Sequence, residues 1–146
     1  MAYQEKKNTI EWKVHFASPI EKVYEYLITD NGRSKYWAEE TKEEDGFVEF
    51  SILNYPKYKS RIIEKKPPVL FRLEYFGTDV TFELTETENN ETDLYLRALT
   101  PNENIKNEMA AGWISVLMAM KGAVDFGIDL RNHHPERVRE NGYLDN

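Results

Sequence analysis

Cysteine is absent from this chain of 146 residues, which excludes disulfides, thiolate catalysis and zinc sites built on thiolates. Also missing are a G-x-S-x-G nucleophile elbow, a glycine-rich phosphate loop and an H-E-x-x-H zinc motif. Positive charge is scarce, because 19 Lys and Arg face 26 Asp and Glu and the net charge is −7. This balance argues against nucleic acid or an anionic membrane surface as partners, although it leaves room for a local basic patch.

A long uninterrupted apolar run is missing as well. The most apolar stretch, residues 110–130, is broken by Lys121, Asp125 and Asp129, so it falls short of the ~18 residues that a membrane span needs. Residues 1–12 hold no apolar segment of the kind that a secretory signal requires. The sequence therefore predicts a cytoplasmic protein, with residues 1–146 forming one domain and a polar tail starting at about residue 131.

The N-terminal part predicts a strand followed by two short helices. Apolar and polar residues alternate strictly in TIEWKVHF, which indicates a half-buried strand. The next segment, SPIE, predicts a helix start in which Ser18 and Glu21 form a capping box and Pro19 is the first helical residue. This helix is amphipathic and ends at residues 30–32, and residues 33–37 predict a second short helix.

The middle of the chain predicts a series of strands. Alternating apolar residues separated by turn residues mark five segments, namely residues 46–53, 58–66, 69–76, 79–88 and 92–99. Gly77-Thr78 predicts a tight hairpin, because glycine readily adopts the positive φ of a two-residue turn. With the N-terminal strand this gives six strands, and the short connections favour an antiparallel, strongly bent sheet.

The apolar stretch near the C-terminus predicts one long amphipathic helix. Its apolar residues fall on one wide arc at helical spacing: Met109, Trp113, Val116, Leu117, Met120, Val124 and Ile128. A sheet with one apolar face can bury this arc by curling around the helix. The predicted fold class is therefore α+β, with a curved antiparallel six-stranded sheet wrapped around a long C-terminal helix and two short helices after the first strand.

Three segments resemble the START-like (SRPBCC) helix-grip superfamily, and most closely its branch named after an activator of a chaperone ATPase. SPIEKVYEYLITDNGRSKYW is similar to the opening helices of that family, VLFRLEYF with VTFELTE and ETDLYLRAL to its hairpins, and GWISVLMAMKGAVDFGIDLR to its last helix. The resemblance covers about residues 10–131. The family contains binding proteins, polyketide cyclases and aromatases, and co-chaperones, so the fold alone does not decide the function.

The resemblance implies a ligand cavity between the sheet and the long helix. An aromatic content of 13% suits a pocket walled by flat rings. The expected lining residues are Trp37, Phe50, Tyr58, Phe71, Tyr75, Phe82, Trp113, Leu117 and Met120. Each of them also fits the alternative that it simply fills the core, because an apolar stripe at helical spacing is usually core.

Candidates for chemistry are few. His15 lies on the polar side of its strand, and the adjacent pair His133-His134 does not converge on one helix face, so neither metal nor cofactor is expected. Tyr58 and Tyr75 are the better placed acid–base candidates. By alternation, Glu49 and Arg61 should point away from the cavity.

Three functions stay open at this point. The preferred hypothesis is binding of a small hydrophobic or aromatic molecule in the cavity. The alternatives are an enzyme similar to polyketide cyclases and aromatases, with Tyr58 or Tyr75 on the cavity wall, and a co-chaperone-like protein-interaction module. The polar tail either packs back on the domain, crosses the interface of a homodimer or stays partly ordered.

Overall fold

The computed structural model describes residues 4–100 and 102–145. Within these residues, seven strands form one antiparallel sheet in the order β1-β7-β6-β5-β4-β3-β2. The elements are β1 Thr9–Phe16, α1 Ile20–Ile28, α2 Asp30–Arg33, β2 Glu40–Glu44, β3 Phe47–Ser51, β4 Tyr58–Lys66, β5 Leu70–Tyr75, β6 Thr78–Glu86, β7 Thr92–Leu99 and α3 Lys106–Phe126. The first strand pairs with the last, and the remaining strands follow one another as a meander.

The strand count is therefore seven rather than the predicted six. The additional strand, β2, has the sequence ETKEE, and Thr41 is its one buried side chain. It forms an edge of the sheet and pairs only with β3. A charged edge strand carries no apolar alternation, which is why the sequence pattern did not predict it, and its charges discourage pairing with another sheet.

Both N-terminal helices begin differently from the prediction. The capping box does not form, because α1 starts at Ile20 after an extended Pro19 and the Ser18 hydroxyl instead donates to Asp125 Oδ1 at 2.8 Å. The second helix lies earlier than residues 33–37, because the Thr29 hydroxyl accepts from the Gly32 N–H and starts a helical turn there. At the start of α1, Ser18 thus pairs with the Asp125 side chain of α3 and does not form the predicted capping box with Glu21.

The long helix α3 packs on one face of the sheet. Trp113, Leu117, Met120 and Val124 are buried against it, as predicted, but the helix ends at Gly127 with φ 65°, so Ile128 lies beyond the helix and is exposed. By length and composition alone, residues Glu103–Phe126 would be long and apolar enough to cross a membrane, contrary to the expectation from the sequence. A core helix buried on one face meets the same criterion, so the criterion is weak support for a membrane span.

Candidate functional site

Trp37 lies at the centre of a cluster of aromatic rings between the sheet and α3. Its ring centroid is 4.9 Å from that of Phe50, 5.4 Å from Tyr75 and 5.9 Å from Trp113. Phe82 contacts both tryptophans at centroid distances of 5.6 and 5.9 Å. Trp37 follows α2 on a turn, and its side chain is buried. These rings fill the region where the sequence resemblance implies a cavity.

The remaining predicted lining residues occupy two kinds of position. Phe71, Leu117 and Met120 are buried in the core, Phe71 stacking on Phe82 at 6.2 Å. Tyr58 is the first residue of β4, where its hydroxyl donates to Glu74 and its ring stacks on Phe76 at 4.0 Å. As ligand contacts, all nine residues stay predictions.

An open cleft of about 640 Å³ adjoins this cluster. It lies between α3, the β5–β6 turn, the loop after β3 and the C-terminal segment. Fourteen residues line it, most of them apolar or aromatic: Trp37, Ile52, Tyr55, Tyr75, Phe76, Ala111, Gly112, Ile114, Ser115, Val116, Arg139, Gly142, Tyr143 and Leu144. Two of the nine predicted residues, Trp37 and Tyr75, thus reach the cleft. We call it the tail cleft, because residues 139–144 form one of its walls.

The C-terminal segment is held against α3 by Arg139. The guanidinium donates from Nη2 to the Glu108 carbonyl at 2.9 Å and lies over Gly112, where a Cβ atom would come within 2.5 Å of Nη1. Val138, next to it, is buried. A glycine at position 112 therefore leaves the space that the arginine side chain occupies. The tail packs back on the fold, which was one of the three placements open from the sequence.

A second set of polar contacts holds the start of the tail. Arg131 donates to the carbonyls of Ser34 and Ala38 at 2.7 and 2.9 Å. His133 lies between Asp129 and Glu39, with Nε2 2.6 Å from Asp129 Oδ2 and Nδ1 2.7 Å from Glu39 Oε1. Hydrogen bonds to Asp129 and then Glu39 raise the pKa of His133. Burial raises the pKa of Asp129, but hydrogen bonds from Arg131 and His133 outweigh it and lower that pKa to about 2.

Polar groups in and beside the tail cleft differ in how well they are paired. The Trp37 indole Nε1 is buried without a hydrogen-bond partner, as is the Ser60 hydroxyl. Burial raises the pKa of Tyr75, and the nearby Trp37 indole lowers it in part, although the two groups do not meet hydrogen-bond geometry. Burial and the adjacent Glu74 raise the pKa of Tyr58. Both phenols are therefore neutral at physiological pH and suited to donating a hydrogen bond.

Outside the cleft, the other chemistry candidates lie on the surface. His15 is half exposed between Glu91 and Asp93, both at 2.7 Å, and these two partners raise its pKa, the Asp93 hydrogen bond most strongly. Arg61 is exposed and lines a groove on the opposite side of the sheet. Among residues 4–100 and 102–145, no group of three or more His, Asp or Glu side chains is arranged to hold a metal ion.

Sequence patterns did not identify most of the cleft wall. Ile52 and Tyr55 lie in or beside an irregular loop, and residues 139–144 lie in a polar tail. The one indication in the sequence was that apolar or aromatic residues, among them Tyr55, Tyr143 and Leu144, occur within otherwise polar segments.

No protein-family model matches the chain, and neither does any curated protein. Solved structures do resemble it. A protein from Staphylococcus saprophyticus superposes with a TM-score of 0.74 at 19% identity, over 84% of this chain and 96% of the other. The Aha1 dimer from Colwellia psychrerythraea gives 0.72 at 20% identity, over 82% and 97%. DynU16, from the dynemicin biosynthetic locus, gives 0.75 at 15% identity, over 88% of this chain and 51% of its own.

At these identities the likeness establishes the fold and nothing narrower. The chain has the helix-grip fold that these structures share. Membership of the SRPBCC superfamily stays a prediction from the sequence. The narrower resemblance, to the branch named after an activator of a chaperone ATPase, stays a prediction.

Proposed function

We propose that the protein binds a small hydrophobic or aromatic molecule, and that the molecule is held in the tail cleft, beside the aromatic cluster that fills the space between the sheet and α3. The observation that carries the proposal is the composition of this cleft: about 640 Å³ of open space walled by aromatic and aliphatic side chains. A volume of this order suits a drug-sized or metabolite-sized ligand. Burial of apolar ligand surface would supply the affinity, at ~25 cal/mol per Å².

The test uses N-phenyl-1-naphthylamine, a neutral apolar probe that becomes fluorescent when it leaves water. We expect the protein to bind it and the variant Ala111→Trp to bind it at least ~10-fold more weakly, because the indole occupies an exposed cleft position on α3 without entering the core. Met118→Trp is the matched control, since Met118 is exposed on the same helix but is not part of the cleft wall. Absence of probe binding, or equal binding by Ala111→Trp, would overturn the proposal.

The enzyme alternative has a weaker basis. Tyr75 lines the cleft, but its raised pKa keeps the hydroxyl protonated. The hydroxyl of Tyr58 is already engaged with Glu74. A neutral tyrosine can orient a ligand carbonyl by donating a hydrogen bond, which suits a binding role without a proton-transfer step.

Apolar side chains exposed on the C-terminal half of α3 and just after it favour a second candidate, a protein-interaction surface, which includes the homodimer that the sequence left open. Met118, Phe126, Ile128 and Leu130 are all exposed there. Sedimentation equilibrium of the protein and of Met118→Glu tests this candidate. A dimer that the glutamate dissociates supports it, and a monomer at all concentrations contradicts the homodimer.

A further inference from the structure

Arg139 is the only charged residue among the fourteen that line the tail cleft. Within the described part of the chain, no carboxylate forms an ion pair with it, although the protein has 26 Asp and Glu. The guanidinium makes one hydrogen bond, from Nη2 to the Glu108 carbonyl. The one cation on this otherwise uncharged wall therefore has no anionic partner among the described residues.

The position of the guanidinium favours an anionic partner. The hydrogen bond to the Glu108 carbonyl and the contact with Gly112 hold the guanidinium plane against α3. A ligand therefore loses little free energy in ordering the remaining N–H donors. The Ser115 hydroxyl lines the same cleft one helical turn from Gly112. A charge-assisted hydrogen bond to a carboxylate is shorter and about twice as strong as a neutral one, and a partly apolar wall strengthens it further.

We infer that the ligand of the tail cleft is an amphipathic monoanion: an apolar or aromatic body that carries one acidic group, of the carboxylate kind, bound by Arg139. This inference rests on the proposed function and narrows its ligand class. The net charge of −7 repels anions from the molecule as a whole. Selectivity for an anionic ligand therefore has to come from a local cation, and Arg139 is the one that the cleft provides.

Two fluorescent probes test the inference, because they differ by a single acidic group. 8-Anilinonaphthalene-1-sulfonate is N-phenyl-1-naphthylamine with an added sulfonate. The measured quantity is the ratio of the two dissociation constants, neutral probe over anionic probe. We expect the protein to prefer the anionic probe and Arg139→Gln to lower the ratio at least ~10-fold, which is the loss of one charge-assisted contact. Arg139→Lys, which keeps the charge, should restore part of the ratio.

The control variant is Arg137→Gln, which removes a positive charge from the same tail outside the cleft wall and should leave the ratio unchanged. Added salt should lower the ratio of the unmodified protein, because it screens an exposed charge. If Arg139→Gln weakens both probes equally, so that the ratio stays constant, Arg139 only holds the tail and the inference is wrong while the proposed function stands. The inference is also wrong if Arg137→Gln lowers the ratio of dissociation constants as much as Arg139→Gln does. If neither probe binds the unmodified protein, the proposed function itself fails.

Discussion

At the scale of single residues, the polar contact that most clearly joins distant parts of the fold is made by Asp125. Its carboxylate, 2% exposed, accepts from the Ala17 N–H at 3.0 Å and from the Ser18 hydroxyl at 2.8 Å, and Lys121 lies 3.4 Å away. An acid in the last turn of α3 opposes the helix dipole. The carboxylate is stabilised there because it accepts hydrogen bonds from the connection between β1 and α1.

Replacing Asp125 should destabilise the fold without any change in the cleft. Asp125→Ala leaves the Ala17 N–H and the Ser18 hydroxyl unpaired, so we expect the free energy of unfolding to fall by about 2–3 kcal/mol. Asp125→Asn keeps one acceptor and should lose less. Urea unfolding followed by tryptophan fluorescence measures both. Glu86→Ala, at an exposed position, is the control, and equal losses in the two alanine variants would contradict the assigned role.

Residues of this kind mark the limit of prediction from the sequence. The motif SPIE has every feature of a capping box, and the alternative partner of Ser18 lies 107 positions away. A local pattern cannot reveal a competing long-range hydrogen bond. Trp37 and Tyr75, by contrast, were expected on a cavity wall from the resemblance, and both reach the tail cleft, although as ligand contacts they stay predictions.

At the scale of elements, α3 ends where glycine permits it. Gly127 has φ 65°, and no atom beyond its neighbours in the chain lies within 4 Å of the place that a Cβ would take, so a substitution there meets conformational strain and no steric clash. We expect Gly127→Ala to lower the free energy of unfolding by about 1 kcal/mol. Asn tolerates the left-handed conformation, so Gly127→Asn should lose less. Thermal unfolding compares the three proteins, and equal stability of all of them would contradict the assignment of a left-handed cap.

The tail should depend on pH through His133. Its pKa is raised in the folded state, so the stability that it contributes is complete below the unfolded value of about 6.5 and is lost as the pH rises through the folded value. The pairs with Asp129 and Glu39 are partly exposed, so the contribution should stay below ~1 kcal/mol.

His133→Asn is the suitable variant, because position 133 has φ 57°, which Asn adopts readily. The unfolding free energy of the protein minus that of the variant should be positive near pH 6 and shrink towards about pH 9, as measured by urea unfolding. Glu39→Gln should flatten this dependence, because it removes one of the two acidic partners. A difference that grows with pH would have the wrong sign for a raised pKa.

At this scale the sequence predicted the elements with apolar periodicity and failed where periodicity is absent. The six predicted strands and the helix α3 all have counterparts in the structure, because one side of each is buried in the core. The charged strand β2 and the tail bury few apolar side chains. The tail is held by contacts such as Arg139 over Gly112, so the wall of the cleft that it forms could not be predicted.

At the scale of the whole molecule, the space enclosed by the sheet, α3 and the α2–β2 connection is occupied by the Trp37 cluster. We expect Trp37→Ala to lower the free energy of unfolding by about 3–5 kcal/mol and to open an apolar cavity, with Trp37→Leu as the milder variant if the first does not fold. An apolar cavity stays dry and binds small aromatic molecules, so indole should raise the melting temperature of the Trp37 variant by more than it raises that of the unmodified protein. Leu94→Ala is the control, because it removes a buried side chain from β7 and leaves a space too small for indole. If indole stabilises Leu94→Ala as much as the Trp37 variant, or stabilises the Trp37 variant no more than the unmodified protein, then the Trp37 ring does not occupy a ligand-sized space and the core repacks around the missing side chain.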